Sequence, residues 1–115
     1  MKANLAALET LRVVQAEDRP ATSAEQTVLA RWGGWGAQGV WQVWDENRPE
    51  HAADRTRLRE LLSPTEVDAA RLTTINAHYT DAAVVAAVWE TVEALGFASG
   101  RVLEAGCGSG TFIGF

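Results

Sequence analysis

Apolar side chains recur at helical spacing along most of the chain. Leu5, Leu8 and Leu11 follow Asn4, a residue type that favours the N-cap position, and they predict an amphipathic helix over 3–15. A stripe of this kind is typical of a helix that packs against a core. The first element is therefore expected to be a packing helix.

Two capping-box patterns mark the starts of further helices. Thr22 is followed three residues later by Glu25, and Ser63 by Glu66, with Pro64 at the first helical position of the second helix. The first helix should run through Leu29 and Ala30, and the second should reach about Leu72. Pro49 and Glu50 start another helix, whose apolar edge is formed by Leu58, Leu61 and Leu62.

The pattern changes in the last third of the chain. Residues 73–80 contain weak helix formers and are expected to form a loop. A helix is predicted over 81–95, with Thr80 as its cap and Gly96 as its stop. It is followed by a short strand over 101–104, a glycine loop over 106–110 and a helix start at 111–113. The chain is thus expected to be helical to about residue 95 and then to form strand, loop and helix.

The run 31–44 has an unusual composition, since it holds four of the five tryptophans and four of the ten glycines. Such a loop can present aromatic rings that stack on bases or on a peptide. It can equally be a turn whose indoles fill the core between helices. Arg31 is the only basic residue in the run, which favours the second interpretation.

Composition and charge limit the possible classes of protein. With 47% hydrophobic and 22% charged residues, the chain is expected to fold. The net charge of -5 argues against strong non-specific binding of nucleic acid. We find neither a secretory signal nor an apolar stretch of about 18 residues, so no membrane contact is expected. One cysteine and two histidines exclude an internal disulfide and a zinc-like cluster, and they indicate a reducing cytoplasm and no metal.

The glycine loop itself discriminates between ligands. Thr111 stands where a phosphate-binding loop needs lysine, and Gly110 comes one residue too early for a dinucleotide fingerprint. Glu104 lies two residues before Gly106, and a carboxylate beside glycine amides complements the ammonium, carboxylate and sulfonium groups of S-adenosylmethionine. The alternative is a glycine-rich turn that binds nothing. Cys107 lacks a visible acid–base partner and is expected to be an incidental loop residue.

The stretch 76–115 also resembles a known family. It contains His78-Tyr79-Thr80-Asp81, a predicted helix, and then Leu-Glu-Ala-Gly-Cys-Gly-Ser-Gly-Thr-Phe-Ile over 103–113. This pattern is similar to adenine-specific DNA methyltransferases of restriction-modification type, in particular those in large helicase-carrying proteins of mobile elements. The Gly-Trp-Gly turn within 22–45 is a looser likeness to the same group.

The resemblance implies a cofactor, a fold and a set of site residues. Tyr79 and Thr80 would help to hold the methionine end of S-adenosylmethionine, and Glu104 would hold its amino group directly or through water. The loop that lines the cofactor would comprise Ala105, Gly106, Cys107, Gly108 and Gly110. The expected fold is a mainly α-helical N-terminal region over 1–75, leading into the first strand–loop–helix of an incomplete α/β Rossmann-like methyltransferase domain over 76–115.

Three departures from the family bear on activity. Asp81 and Ala105 stand where the family usually has proline. The catalytic motif of the family is an acid or Asn followed by Pro-Pro-aromatic, and the sequence contains no Pro-Pro, so no catalytic residue is assigned. The chain is therefore expected to be the N-terminal part of a DNA methyltransferase, inactive alone and meeting DNA only through the remainder or through a separately encoded catalytic chain. A non-catalytic helical interaction module with a vestigial loop is the alternative.

Overall fold

A computed structural model describes residues 1–76 and 79–114, and all regular elements in these ranges are helical. His78 of the quoted motif lies outside the described residues. The α-helices are α1 Lys2–Ala16, α2 Ser23–Leu29, α3 Ala52–Leu61, α4 Pro64–Leu72 and α5 Ala82–Ala94. Short 3-10 helices span Trp41–Trp44, Pro49–His51 and Thr73–Ile75. No helix among the described residues has both the length and the apolar character that a membrane span requires.

The chain divides into two compact units, Met1–His78 and Tyr79–Phe115. In the first unit, α1 packs against α2 and α3. Its core consists of four buried residues, Leu8, Val43, Leu58 and Leu62. Because Leu58 and Val43 are both completely buried, α3 and the 3-10 helix at Trp41–Trp44 meet at the centre of this unit.

The two predicted capping boxes are confirmed. The Thr22 hydroxyl accepts from the Glu25 N–H and the Glu25 carboxylate accepts from the Thr22 N–H, so both donors are satisfied at the start of α2. Ser63 and Glu66 repeat this arrangement at the start of α4. Arg12 of α1 donates to both oxygens of Glu66 at 2.7 Å and to the Leu61 carbonyl at 2.8 Å. One guanidinium therefore joins α1 to the junction between α3 and α4.

The predicted N-cap role of Asn4 is wrong. Helix α1 begins at Lys2, and Asn4 lies inside it with only 2% of its surface exposed. Its amide accepts from the Gly33 N–H and donates to the Gly34 carbonyl, both at 3.0 Å. Asn4 therefore hydrogen-bonds the backbone of a glycine turn that lies 30 positions away in the sequence. Helical periodicity does not indicate this contact.

In the second unit, α5 is capped by Asp81 and not by Thr80 as predicted. The Asp81 carboxylate accepts from the Ala83 N–H at 2.8 Å. At the other end of the helix, Gly96 has φ +100°, which agrees with its predicted role as the stop. Asp81, one residue after the predicted cap, is thus the residue that starts the helix.

The predicted strand and the α/β fold class are wrong for the described residues. Residues 1–76 and 79–114 contain no β-strand, and 101–104 have irregular backbone with Val102 60% and Leu103 91% exposed. The segment 111–113 forms turns and does not start a helix. A strand exists only through hydrogen bonds to a neighbouring strand, and the sequence has a single candidate. The structure therefore shows only a helical fold, and residues 76 and 79–114 form no Rossmann-like strand–loop–helix.

The Glu66 carboxyl makes acid stability a testable property of the first unit. Hydrogen bonds from the Arg12 guanidinium, and next from the Ser63 N–H, lower the pKa of Glu66 from 4.5 to about 2. Because the folded pKa is depressed, this contribution to stability is present above pH 4.5 and is lost as the pH falls toward 2. We expect Glu66→Gln to flatten the fall in the free energy of unfolding across this window, measured by urea denaturation. Glu25→Gln on α2, where Arg19 lowers the pKa of Glu25 to about 2, is the matched variant and should also flatten it. If the free energy of unfolding of Glu66→Gln fell with pH as steeply as that of the parent chain, Glu66 would not be a source of the acid sensitivity.

Candidate functional site

The glycine loop of the second unit is a series of tight turns. The Gly110 N–H donates to the Cys107 carbonyl at 2.6 Å, and the N–H groups of Ile113 and Gly114 both donate to the Gly110 carbonyl. Gly108 has φ +51° and Gly110 has φ +82°, values that side chains rarely permit. At these two positions the backbone conformation therefore favours glycine.

Glu104 folds back onto this loop. Its carboxylate oxygen Oε1 accepts from the Gly106 N–H at 3.0 Å. The side chain is half-buried, and it places a negative charge beside the first glycine of the loop. The proximity of Glu104 and Gly106 that the sequence indicates is present in the structure.

Tyr79 lies against the opposite part of the loop. A Cβ atom at Gly108 would lie 3.0 Å from two ring carbons of Tyr79, a tight contact that would force the ring to shift by a few tenths of an ångström. The absence of a side chain at Gly108 thus allows the ring to approach the backbone. Tyr79, Glu104, Gly106 and Gly108 form one connected group, which we name the loop cluster.

The remaining predicted site residues make fewer contacts with the loop cluster. Thr80, Ala105 and Cys107 are exposed, and no side-chain hydrogen bond within the described part of the chain joins them to the loop cluster. Gly110 contributes to the turn and has open space where a Cβ would lie. Their assignment to a cofactor stays a prediction.

A cavity of about 650 Å³ opens beside α5 in the same unit. Its lining consists of Val88, Trp89, Val92, Phe97, Val102, Glu104, Phe112 and Ile113. We name this space the aromatic cavity. Glu104 is its one residue in common with the predicted site, so the cavity and the loop cluster meet at this carboxylate.

Sequence reasoning missed the aromatic residues of this cavity. The Trp89 indole N–H donates to the Phe112 carbonyl at 3.1 Å, and the Trp89 and Phe97 ring centroids lie 6.3 Å apart. The available signal was that Trp89 is the only tryptophan outside 31–44. That signal identifies an unusual residue on α5, but it does not indicate which aromatic residues gather around it.

The Trp/Gly run mostly serves the core of the first unit. Trp32, Trp35 and Trp44 are partly buried against the core, with ring centroids 4.9 Å apart for Trp32–Trp35 and 5.2 Å for Trp35–Trp44. Both pairs meet edge to face, which favours aromatic contact. The core-filling interpretation is confirmed for these three indoles, whereas Trp41 is 47% exposed.

The charges of the second unit favour a cationic ligand. Residues 79–115 contain four acidic residues and one basic residue, Arg101. Among the residues described, there is no group of three or more His, Cys, Asp or Glu side chains that could hold a metal ion. The chemistry on offer is one carboxylate, glycine amides and aromatic surface.

Comparisons with protein-family models, with curated proteins and with solved structures find no match to this chain.

Proposed function

We propose that this chain is part of an adenine-specific DNA methyltransferase and that the loop cluster is the first half of an S-adenosylmethionine site. The observation that carries the proposal is the meeting of Tyr79 and Glu104 on one glycine loop, through Gly108 and Gly106. Both residues belong to the sequence elements that resemble the family. A carboxylate beside backbone amides suits a ligand that carries an ammonium group and a carboxylate.

The chain supplies cofactor contacts in this proposal and no catalytic groups. A methyltransferase acting on adenine must hold a flipped-out base and its amine, and the sequence lacks the Pro-Pro-aromatic motif that does so in the family. DNA contact and catalysis then belong to other residues, in the remainder of a longer protein or in a separate catalytic chain. The net charge of -5 agrees with DNA contact lying elsewhere.

The exposed apolar surface of the second unit supports a need for a partner segment. Val85 is the one buried residue in 79–114, whereas Leu95 and Leu103, which lie outside the aromatic cavity, are 84% and 91% exposed. Large exposed apolar surface is typical of a face that another segment covers. This is the basis for expecting that the chain does not transfer methyl groups alone.

A titration of the full, ¹⁵N-labelled chain with S-adenosylmethionine tests the proposal. We expect a saturable shift of the Gly106 and Gly108 amide signals and no methylation of DNA by the chain alone. Gly108→Ala should abolish the shift, because the new Cβ meets Tyr79 at 3.0 Å on a backbone with φ +51°. Gly114→Ala is the matched control, since its new Cβ would meet ordinary contacts of 3.7 Å or more.

Two results would contradict this function. The absence of any response of the glycine amides would remove the cofactor half-site, and methylation of adenine by the isolated chain would show that the catalytic groups are present after all.

A helical interaction module is the second candidate function, and the exposure of Trp41 favours it. This indole is 47% exposed, while the other three in the run pack against the core. A lone exposed indole is a common anchor in protein interfaces. If Trp41→Ala abolished capture of a partner while the glycine amides ignored S-adenosylmethionine, the module would be the better description.

A further inference from the structure

The aromatic cavity combines apolar walls with one carboxylate. Three aromatic residues, Trp89, Phe97 and Phe112, contribute to its lining together with aliphatic side chains. Among the described residues, Glu104 is the only charged one in the lining. A single carboxylate in an aromatic and aliphatic surround favours a ligand with a positive charge on an apolar body.

The hydrogen bonds around the cavity define which surfaces a ligand would meet. The Trp89 N–H is already donated to the Phe112 carbonyl, so the indole offers mainly its ring. Glu104 Oε1 accepts from Gly106, whereas its Oε2 makes no hydrogen bond to the described residues. Aromatic faces carry negative potential and attract cations whose hydration is weak. The walls and the carboxylate therefore favour the same sign of charge.

We propose that the aromatic cavity is a binding site for an organic cation with a quaternary ammonium group on an apolar body. A small, strongly hydrated cation would gain little from apolar walls, and an anion would be repelled by Glu104. The volume of about 650 Å³ lies within the range of small-molecule sites. This inference does not require the glycine loop to hold S-adenosylmethionine.

The surroundings of the cavity support a cationic ligand. A neighbouring depression shares Trp89 and Phe97 and is lined in addition by the carboxylates Glu90 and Glu93. With four acidic residues and one basic residue in 79–115, the field around the cavity attracts cations. The same field lowers the local concentration of phosphate and carboxylate ligands.

Choline and its uncharged isostere 3,3-dimethyl-1-butanol make a direct test. The full ¹⁵N-labelled chain has five indole N–H signals, and the signal lost in Trp89→Phe identifies Trp89. We expect choline, at constant ionic strength, to shift the Trp89 signal to saturation. The alcohol has the same shape without the charge. Its affinity should be lower than that of choline by about tenfold or more.

Matched variants separate charge from shape. Glu104→Gln should reduce choline binding to the level of the alcohol, whereas Glu93→Gln removes the same charge outside this cavity and should leave binding within about twofold of the parent chain. Phe112→Leu keeps an apolar wall but removes an aromatic face, and it should weaken choline more than the alcohol.

The proposal is overturned if choline leaves the Trp89 signal unmoved, if the alcohol binds as tightly as choline, or if Glu104→Gln has no effect. These readouts use the Trp89 indole, whereas the cofactor titration uses the glycine amides. Either proposal can therefore fail while the other stands.

Discussion

Replacing Leu58 by alanine is expected to lower the free energy of unfolding of the first unit by about 2–5 kcal/mol. Leu58 is completely buried on α3, in the core that also holds Leu8, Val43 and Leu62. Alanine would lose the transfer free energy of the removed atoms and leave a cavity that the surrounding side chains fill only in part. Because whole domains are stabilised by about 5–15 kcal/mol, this is a large share of the total.

Urea denaturation followed by near-ultraviolet circular dichroism checks this expectation, since the indoles packed on the core report on this unit. Leu72→Ala is the matched control. Leu72 lies at the end of α4 with 76% of its surface exposed, so its truncation should change the free energy of unfolding by less than about 0.5 kcal/mol. Equal effects of the two variants would show that Leu58 is not at the centre of the core.

Asn4→Ala is expected to lower the free energy of unfolding by about 2–4 kcal/mol, although it removes only a few atoms. The Asn4 amide satisfies the Gly33 N–H and the Gly34 carbonyl, and Asn4 itself is 2% exposed. Alanine would leave the N–H of half-buried Gly33 and the carbonyl of buried Gly34 without their side-chain partner.

The geometry of this contact allows a sharper variant. Asn4→Asp retains an acceptor for the Gly33 N–H but directs a carboxylate oxygen at the Gly34 carbonyl, so we expect a loss at least as large as that of alanine near neutral pH. Asn76→Ala changes an exposed asparagine and serves as control. If denaturation curves of Asn4→Ala and Asn76→Ala coincided, the glycine turn would not depend on Asn4.

Local features of the fold were predictable from the sequence, because the relevant interactions span three or four residues. Thr22 with Glu25 and Ser63 with Glu66 are confirmed as capping boxes, since cap and partner are neighbours along the chain. The same reasoning failed for Asn4, because local preference for a cap competes with a buried contact that periodicity does not reveal. Partners that are distant in the sequence thus determine the role of Asn4, the one buried polar residue among residues 1–76.

The strand over 101–104 was predicted from apolar composition and from the glycine loop that follows it. The composition of one segment is not enough for a strand, because a strand needs hydrogen bonds to a neighbouring strand. No second segment in the described residues pairs its backbone with Val102 and Leu103. The apolar residues remain exposed instead of joining a sheet. An accurate local pattern therefore led to the wrong fold class.

At the site, sequence reasoning indicated the contact between Glu104 and Gly106, which lie two residues apart. The resemblance implied only that Tyr79 and Gly108 both contact the cofactor, so their approach to each other was not predicted. The aromatic cavity was not predicted, because it depends on how the chain after α5 brings the Phe97 ring and the Phe112 carbonyl back to Trp89. Turn geometry of that kind is set by packing and not by periodicity.

The cross-links of α1 have a consequence for the order in which the first unit is completed on the ribosome. Arg12 bonds Glu66, 54 residues later, and Glu9 bonds Arg57, 48 residues later. At synthesis rates of about 5–20 residues per second, α1 waits roughly 3–10 s before these partners have been made. During that interval α1 can pack against α2, but Leu8 lacks its core partners Leu58 and Leu62, so α1 reaches its final contacts only after α3 has been made.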